Sequence, residues 1–221
     1  SNPLVIKDSV VFLSNGNVQD VNLQAWGQDV YLYKSRNWTT FIETETWSND
    51  KPHLIYGNIW IKRGHTLTLP AGTKIHLHKH ASIVVQGTIH ALGTLEEPVI
   101  IQGDRLEEFY DDLPGQWGTI ALLPPSANNH FEHTEILNGT AGFQVGAGEN
   151  YTVVDLVLNR VKIGNMALDG IRSFGGKIDA FNVLIYNAEY SALNLVKGGQ
   201  YNFNHSTFSE NSVSYVFNTD P

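Results

Sequence analysis

The sequence predicts an all-β fold, in which one chain winds into a single-stranded parallel β-helix behind an irregular N-terminal cap. Three observations predict it. Charged residues make up only 16% of the 221 residues, while Gly (20), Tyr (9) and Trp (5) are frequent, a balance that suits strands and tight turns better than long helices. Short runs of alternating polarity, each closed by Gly, Pro, Asn or Asp, dominate the chain and helical periodicity is scarce. The second half carries a repeat whose internal spacing is kept while its connecting loops change length.

Taken in order, residues 1–50 form a β-rich cap region. They are less regular than the rest and carry Trp26, Trp38 and Trp47, apolar bulk suited to sealing the open end of a solenoid. Alternating runs at 20–24, 29–34, 58–62, 66–69, 74–78 and 82–85 read as strands. Gly-Thr follows such runs at Gly72-Thr73, Gly87-Thr88 and Gly93-Thr94. Gly supplies the turn and Thr starts the next strand. Residues 51–221 are the β-helix. The segment 103–117, GDRLEEFYDDLPGQW, breaks the rhythm and is expected to leave the solenoid wall as a long loop.

The repeat lies beyond that loop. Ile136, Ile163, Ile185 and Phe208 recur after 27, 22 and 23 residues. Phe131, Leu158, Ala180 and Phe203 stand five residues before them, and Asn138, Asn165 and Asn187 two residues after the first three. In a solenoid such residues stack about 4.8 Å apart. Ile and Phe then fill the interior, and Asn takes a left-handed turn position and bonds to the Asn above and below. Strands of a β-sandwich would not keep two apolar columns and an Asn column through successive steps. A leucine-rich repeat would need a Leu grid that is missing here. Tyr215-Val216-Phe217-Asn218 reads as the start of another rung with no cap after it. The expectation is a fragment, or an end covered by something else, including another copy. Ser1-Asn2-Pro3 without Met reads as a trimmed or processed start.

Composition also excludes functions. At 42% hydrophobic the chain can bury one sizeable core. A net charge of −8 with only scattered Lys and Arg argues against nucleic acid and acidic membrane surfaces as partners. There is no Cys, so disulfides, thiolate metal sites and thiol catalysis are out. No run reaches the roughly 18 apolar residues of a membrane-spanning helix.

A series of short motifs carries a family resemblance: Trp47-Ser48-Asn49-Asp50-Lys51-Pro52, Leu54-Ile55-Tyr56-Gly57, Leu67-Thr68-Leu69-Pro70-Ala71-Gly72-Thr73, Gly93-Thr94-Leu95-Glu96-Glu97-Pro98-Val99, Gly103-Asp104-Arg105 and Pro114-Gly115-Gln116-Trp117-Gly118. The series resembles an exported β-helix repeat family abundant in Bacteroidetes bacteria, many of whose members are lipoproteins. The resemblance implies a right-handed helix, a hand the crossover rule also favours. It further implies export to the cell surface or periplasm and attachment to the envelope. It fixes no activity and no catalytic residue.

Three constellations could carry chemistry. The loop gathers Asp104, Glu107, Glu108, Asp111 and Asp112 beside Arg105, Tyr110 and Trp117; these are the candidate binding residues. Asp104, Glu108, Asp111 and Asp112 are candidate Ca²⁺ ligands, since Ca²⁺ takes six to eight oxygens, although no EF-hand order is present. The plainer reading is a solvated loop pinned by an Arg105–carboxylate pair and by Phe109, Tyr110 and Trp117 on the wall. His76, His78 and His80 alternate, which puts them on one outer strand face with Ile75 and Leu77 inside. The outer two would be too far apart for a single metal. Asp155 and Lys177 take equivalent rung positions, as do Arg160, Asn182 and His205, which reads as a surface polar ladder. No G-x-S-x-G elbow, P-loop, dinucleotide fingerprint or H-E-x-x-H is present.

The expected function is therefore a non-catalytic envelope or secreted β-helix that binds a glycan or protein, with no cofactor unless the loop takes Ca²⁺. The competing expectations are a polysaccharide lyase or glycoside hydrolase, and a structural spacer or adhesin.

Overall fold

The computed structural model describes residues 4–27, 29–147 and 153–209, with side chains placed at 8–22, 29–147 and 153–209. Its strands in chain order are β1 (Leu4–Ser14), β2 (Asn17–Gly27), β3 (Tyr31–Ile42), β4 (Glu45–Thr46), β5 (His53–Ile61), β6 (Thr66–Pro70), β7 (Lys74–Leu77), β8 (Ile83–Val85), β9 (Thr88–Leu92), β10 (Val99–Gly103), β11 (Ile120–Leu122), β12 (Asn129–Leu137), β13 (Phe143–Val145), β14 (Asp155–Met166), β15 (Asp169–Phe174), β16 (Lys177–Phe181), β17 (Leu184–Ala188), β18 (Ser191–Val196), β19 (Gln200–Asn204) and β20 (Thr207–Ser209). The last 18 join in one continuously paired sheet. That sheet coils into a parallel β-solenoid of about 8 turns.

Every pairing within the coil is parallel, so each turn lays its strands on those of the turn before. Three walls result. The first contains the start of β5, then β7, β10, the end of β12, the end of β14, β17 and β20. The middle wall contains the end of β5, then β8, β11, β13, β15 and β18. The third contains β6, β9, the start of β12, the start of β14, β16 and β19.

The sequence columns are the spatial columns. Ile136, Ile163, Ile185 and Phe208 are paired in that order, and the file continues upward through Ile101, Ile75 and His53 to Tyr31. Phe131, Leu158, Ala180 and Phe203 stack likewise, preceded by Ala91 and Leu69. The Ile and Phe131 positions are 0–1% exposed. Alternation explains this, because in a strand every second side chain points inward. Each fully buried aliphatic of this kind stabilises by about 1.5–3 kcal/mol. The interior is filled by these rows rather than hollow.

Two corners of the coil are built by left-handed residues. His133, Arg160, Asn182 and His205 have φ of 41°, 55°, 56° and 51°, and lie between registered pairs on successive turns. The expected polar ladder is therefore a bend in the backbone. Asn138, Asn165 and Asn187 form the second, with φ of 67°, 58° and 50°. Asn tolerates this region better than any other residue with a β-carbon.

At the N-terminus, β1 and β2 pair antiparallel through Asn15-Gly16, whose φ values of 52° and 78° suit a tight hairpin turn. They form a separate two-stranded sheet. Residues 31–47 belong to the coil itself: β3 pairs in parallel with β5, and β4 with β6. Trp47 is buried in the core, whereas Trp38 is exposed. The side chain of Trp26 and the expected last rung at 215–218 lie outside the described residues.

The middle wall also carries an outward file. Phe41, Trp60, Val84, Ala121, Gln144, Arg172 and Asn194 stack there in register.

Candidate functional site

The 103–117 segment leaves the coil between the first and middle walls. The chain exits at Asp104, whose amide still bonds the Leu77 carbonyl of the turn before (3.1 Å). Its carboxylate takes a hydrogen bond from His78 Nδ1 at 2.6 Å. His78 in turn stacks on Tyr56 with ring centres 4.3 Å apart. Arg105 bonds Glu107 through Nε and Nη2 (3.3 and 3.2 Å), and its guanidinium lies 4.3 Å from the Tyr110 ring centre. The Arg105 contact holds the Glu107 carboxyl below its ordinary range. A 3₁₀ turn at Glu108–Tyr110 reverses the chain. Phe109 is left exposed, edge-on to Tyr110.

The return is held by amides. Gln116 Nε2 donates to the carbonyls of Tyr110 (2.6 Å) and Leu113 (2.9 Å). Asn138 Nδ2 donates to those of Tyr110 (3.1 Å), Asp111 (2.7 Å) and Leu113 (3.1 Å). Asn165 Nδ2 reaches the Asp111 carbonyl (3.4 Å) and the Asp112 carboxylate (3.3 Å). Asn187 Nδ2 donates to Asn165 Oδ1 at 3.1 Å. The Asn column is thus a latch. Only its last step is an Asn-to-Asn bond; the first two members turn to the loop, Asn138 to its carbonyls and Asn165 to the Asp111 carbonyl and the Asp112 carboxylate. The chain rejoins the wall at Trp117, which is 0% exposed and donates Nε1–H to the Leu137 carbonyl (2.8 Å).

The latched loop encloses a cavity of about 230 Å³ against the wall, lined by Gln102, Arg105, Leu106, Tyr110, Gln116 and Asn138, among others. Gln116 Oε1 is buried there without a hydrogen-bond partner. It abuts Gly103, where a β-carbon would lie 2.3 Å from it. A second recess of about 180 Å³, lined by Asp112, Pro114, Asn165, Asn187 and Glu189, lies under the other flank.

The structure disperses the residues that the sequence singles out. Arg105, Tyr110 and Asp111 line the larger cavity, Asp112 lines the smaller, and Glu107 reaches the site through Arg105. Trp117 is an anchor inside the core and has no face to offer a ligand. The Ca²⁺ candidates do not converge: Asp104 is taken by His78, Asp112 by Asn165, Asp111 is held through its carbonyl, and Glu108 is exposed at the start of the 3₁₀ turn. Among the described residues no group of three His, Asp or Glu side chains has the geometry to hold a metal ion. The three histidines are not one exposed row. β7 ends at Leu77, and His76 is buried with Nδ1 3.2 Å from the Gly103 carbonyl. Burial lowers its pKa, and His80 sits in a turn at φ 67°. Asp155 and Lys177 are in register, yet the Asp155 carboxylate accepts the Asn128 amide (2.5 Å). Close cross-turn ion pairs among the described residues include Lys162–Glu135 at 2.6 Å and Lys51–Asp29 at 2.8 Å. Sequence reasoning missed Gln102, Gln116 and Asn138 as cavity residues. Asn138 had a visible signal, its place in the Asn column; the two Gln had none.

Chemically this is a recognition geometry. It offers amide donors and acceptors, a guanidinium and a phenol around a small space, with the Asp104, Glu107 and Asp112 carboxylates each engaged by a different partner. Comparison with protein-family models, with curated proteins and with solved structures gave no match to this chain.

Proposed function

We propose that this protein is a non-catalytic β-solenoid that recognises a glycan at the cavity beneath the 103–117 loop, and that it does so outside the cell at the envelope. The observation that carries the reading is the latch. Asn138 and Asn165 on successive turns, the latter backed by Asn187, and Gln116 hold the loop against the coil and preform a cavity beneath it. A preformed site loses little freedom on binding, and convergent polar groups beside an aromatic ring suit hydroxyl-rich ligands. The resemblance to exported β-helix proteins supports the location. A glycan screen of the purified chain, read for binding and for released reducing or unsaturated ends, tests it. The expected result is binding without turnover, weakened at least tenfold by Arg105→Ala and Gln102→Ala. Binding that ignores both substitutions, or no binding, overturns it.

One observation favours a second reading, cleavage of a polysaccharide. The 2.6 Å Asp104–His78 contact orients an imidazole beside the loop, an arrangement suited to a general base. Product formation abolished by His78→Asn would establish that reading over the first.

A further inference from the structure

We infer that the outer face of the middle wall is a second binding surface, for an extended neutral glycan lying along the solenoid axis. Phe41 and Trp60 are paired in register on consecutive turns, with ring centres 6.2 Å apart. Phe41 is 59% exposed, a large apolar ring turned to solvent. Trp60 is fixed in orientation, because its Nε1–H donates to Gln86 Oε1 at 3.2 Å. Further along the same file the apolar side chains give way to Gln144, Arg172 and Asn194. An axial file of this kind presents rings at one end and amide and guanidinium groups at the other, one position per turn about 4.8 Å apart. Rings take the C–H faces of sugars, and the amides and guanidinium take hydroxyls.

Charge selects the polymer. Arg172 Nε is paired with Asp169 at 2.8 Å, and Lys62 with Glu43 at 3.5 Å. Arg172 and Lys62 are therefore each held by a carboxylate that an anionic chain would have to displace. A nucleic acid is opposed by the net charge of −8. A peptide adding as a strand needs an unpaired sheet edge, but β8, β11, β13 and β15 are each paired on both sides. A neutral saccharide chain needs no edge and no charge.

This surface stands apart from the loop cavity, and the test separates them. Affinity electrophoresis of the full chain through gels containing hydroxyethylcellulose, galactomannan, xylan or polygalacturonate is the measurement, followed by titration with tri- to hexasaccharides of any polymer that retards it. The expected result is retardation by a neutral polymer, with affinity rising with oligosaccharide length. Phe41→Ala, at an exposed position, and Trp60→Phe, which keeps the bulk, should each weaken it at least fivefold, while Arg105→Ala leaves it unchanged. No retardation by any neutral polymer overturns the inference, as does retardation by polygalacturonate alone. Retardation that Phe41→Ala and Trp60→Phe leave intact but Arg105→Ala removes also overturns it and assigns the polymer to the loop cavity.

Discussion

Replacing Asn138 tests the latch directly. Its Nδ2 carries two hydrogens and faces three loop carbonyls at 2.7–3.1 Å, so two full bonds' worth of stabilisation is at stake. At about 0.5–1.5 kcal/mol net for each bond, the latch contributes about 1–3 kcal/mol to loop closure. Asn138→Gly removes the amide but keeps the backbone at ease at φ 67°. Asn138→Ala removes the amide and adds about 1–2 kcal/mol for a β-carbon in the left-handed region. The assay is amide hydrogen exchange at Leu113, Gly115 and Gln116, whose N–H groups bond Tyr110, Gly139 and Asn138 carbonyls. With tenfold per 1.4 kcal/mol, these amides should exchange about 5- to 140-fold faster in Asn138→Gly. A urea melt should place Asn138→Ala below Asn138→Gly. If loop exchange in Asn138→Gly matches the unmodified chain, Asn138 only turns the corner and the preformed cavity loses its support.

Further perturbations probe the rest of the structure. Ile163→Ala, at a 0% exposed position between Ile136 and Ile185, should cost about 2–5 kcal/mol in urea unfolding; under about 1 kcal/mol would mean the column is not close-packed. Gly87→Ala would place a β-carbon 2.1 Å from the His65 carbonyl and 2.3 Å from that of Lys62. Because both are backbone, it should lose about 1–3 kcal/mol or more; an unchanged melting temperature would refute that close approach. Acidification should destabilise the fold. His53 and His76 are held below 6.5 by burial, so below pH 6.5 the unfolded chain binds more protons than the folded one. Stability is full above that value and falls as pH drops toward the folded pKa values. Urea midpoints at about pH 7.5, 6.5 and 5.5 should decline, with a shallower slope in His53→Asn; a flat profile would refute it.

How much was legible depended on which interactions repeat. In a parallel coil, residues at equal offsets in successive turns are stacked by backbone pairing. The files from Ile136 to Phe208 and from Phe131 to Phe203 could therefore be read without coordinates. Above Ile136 the same file runs through Ile101, Ile75, His53 and Tyr31. The step over the loop is 35 residues, and although the steps beyond it return to 26, 22 and 22, the file there holds His and Tyr and neither the second apolar column nor the Asn column keeps its offset, so the repeat disappears from view. With no aliphatic column and no Asn column to count there, residues 31–47 read as a cap although they form the first turn of the coil.

The sequence by itself determined the fold class, the inward rows, the Asn corner and the place where the chain leaves the wall. Each follows from local alternation, turn chemistry or a fixed offset. Only the tertiary structure decided what that loop does. Its carbonyls meet Asn138 and Asn165 from later turns and its own Gln116; Asp104 and Asp112 find separate partners, and Trp117 is drawn into the core. Those contacts join residues with no common period, and side-chain bonds of that kind are set by where the walls bring the chain rather than by any spacing along it.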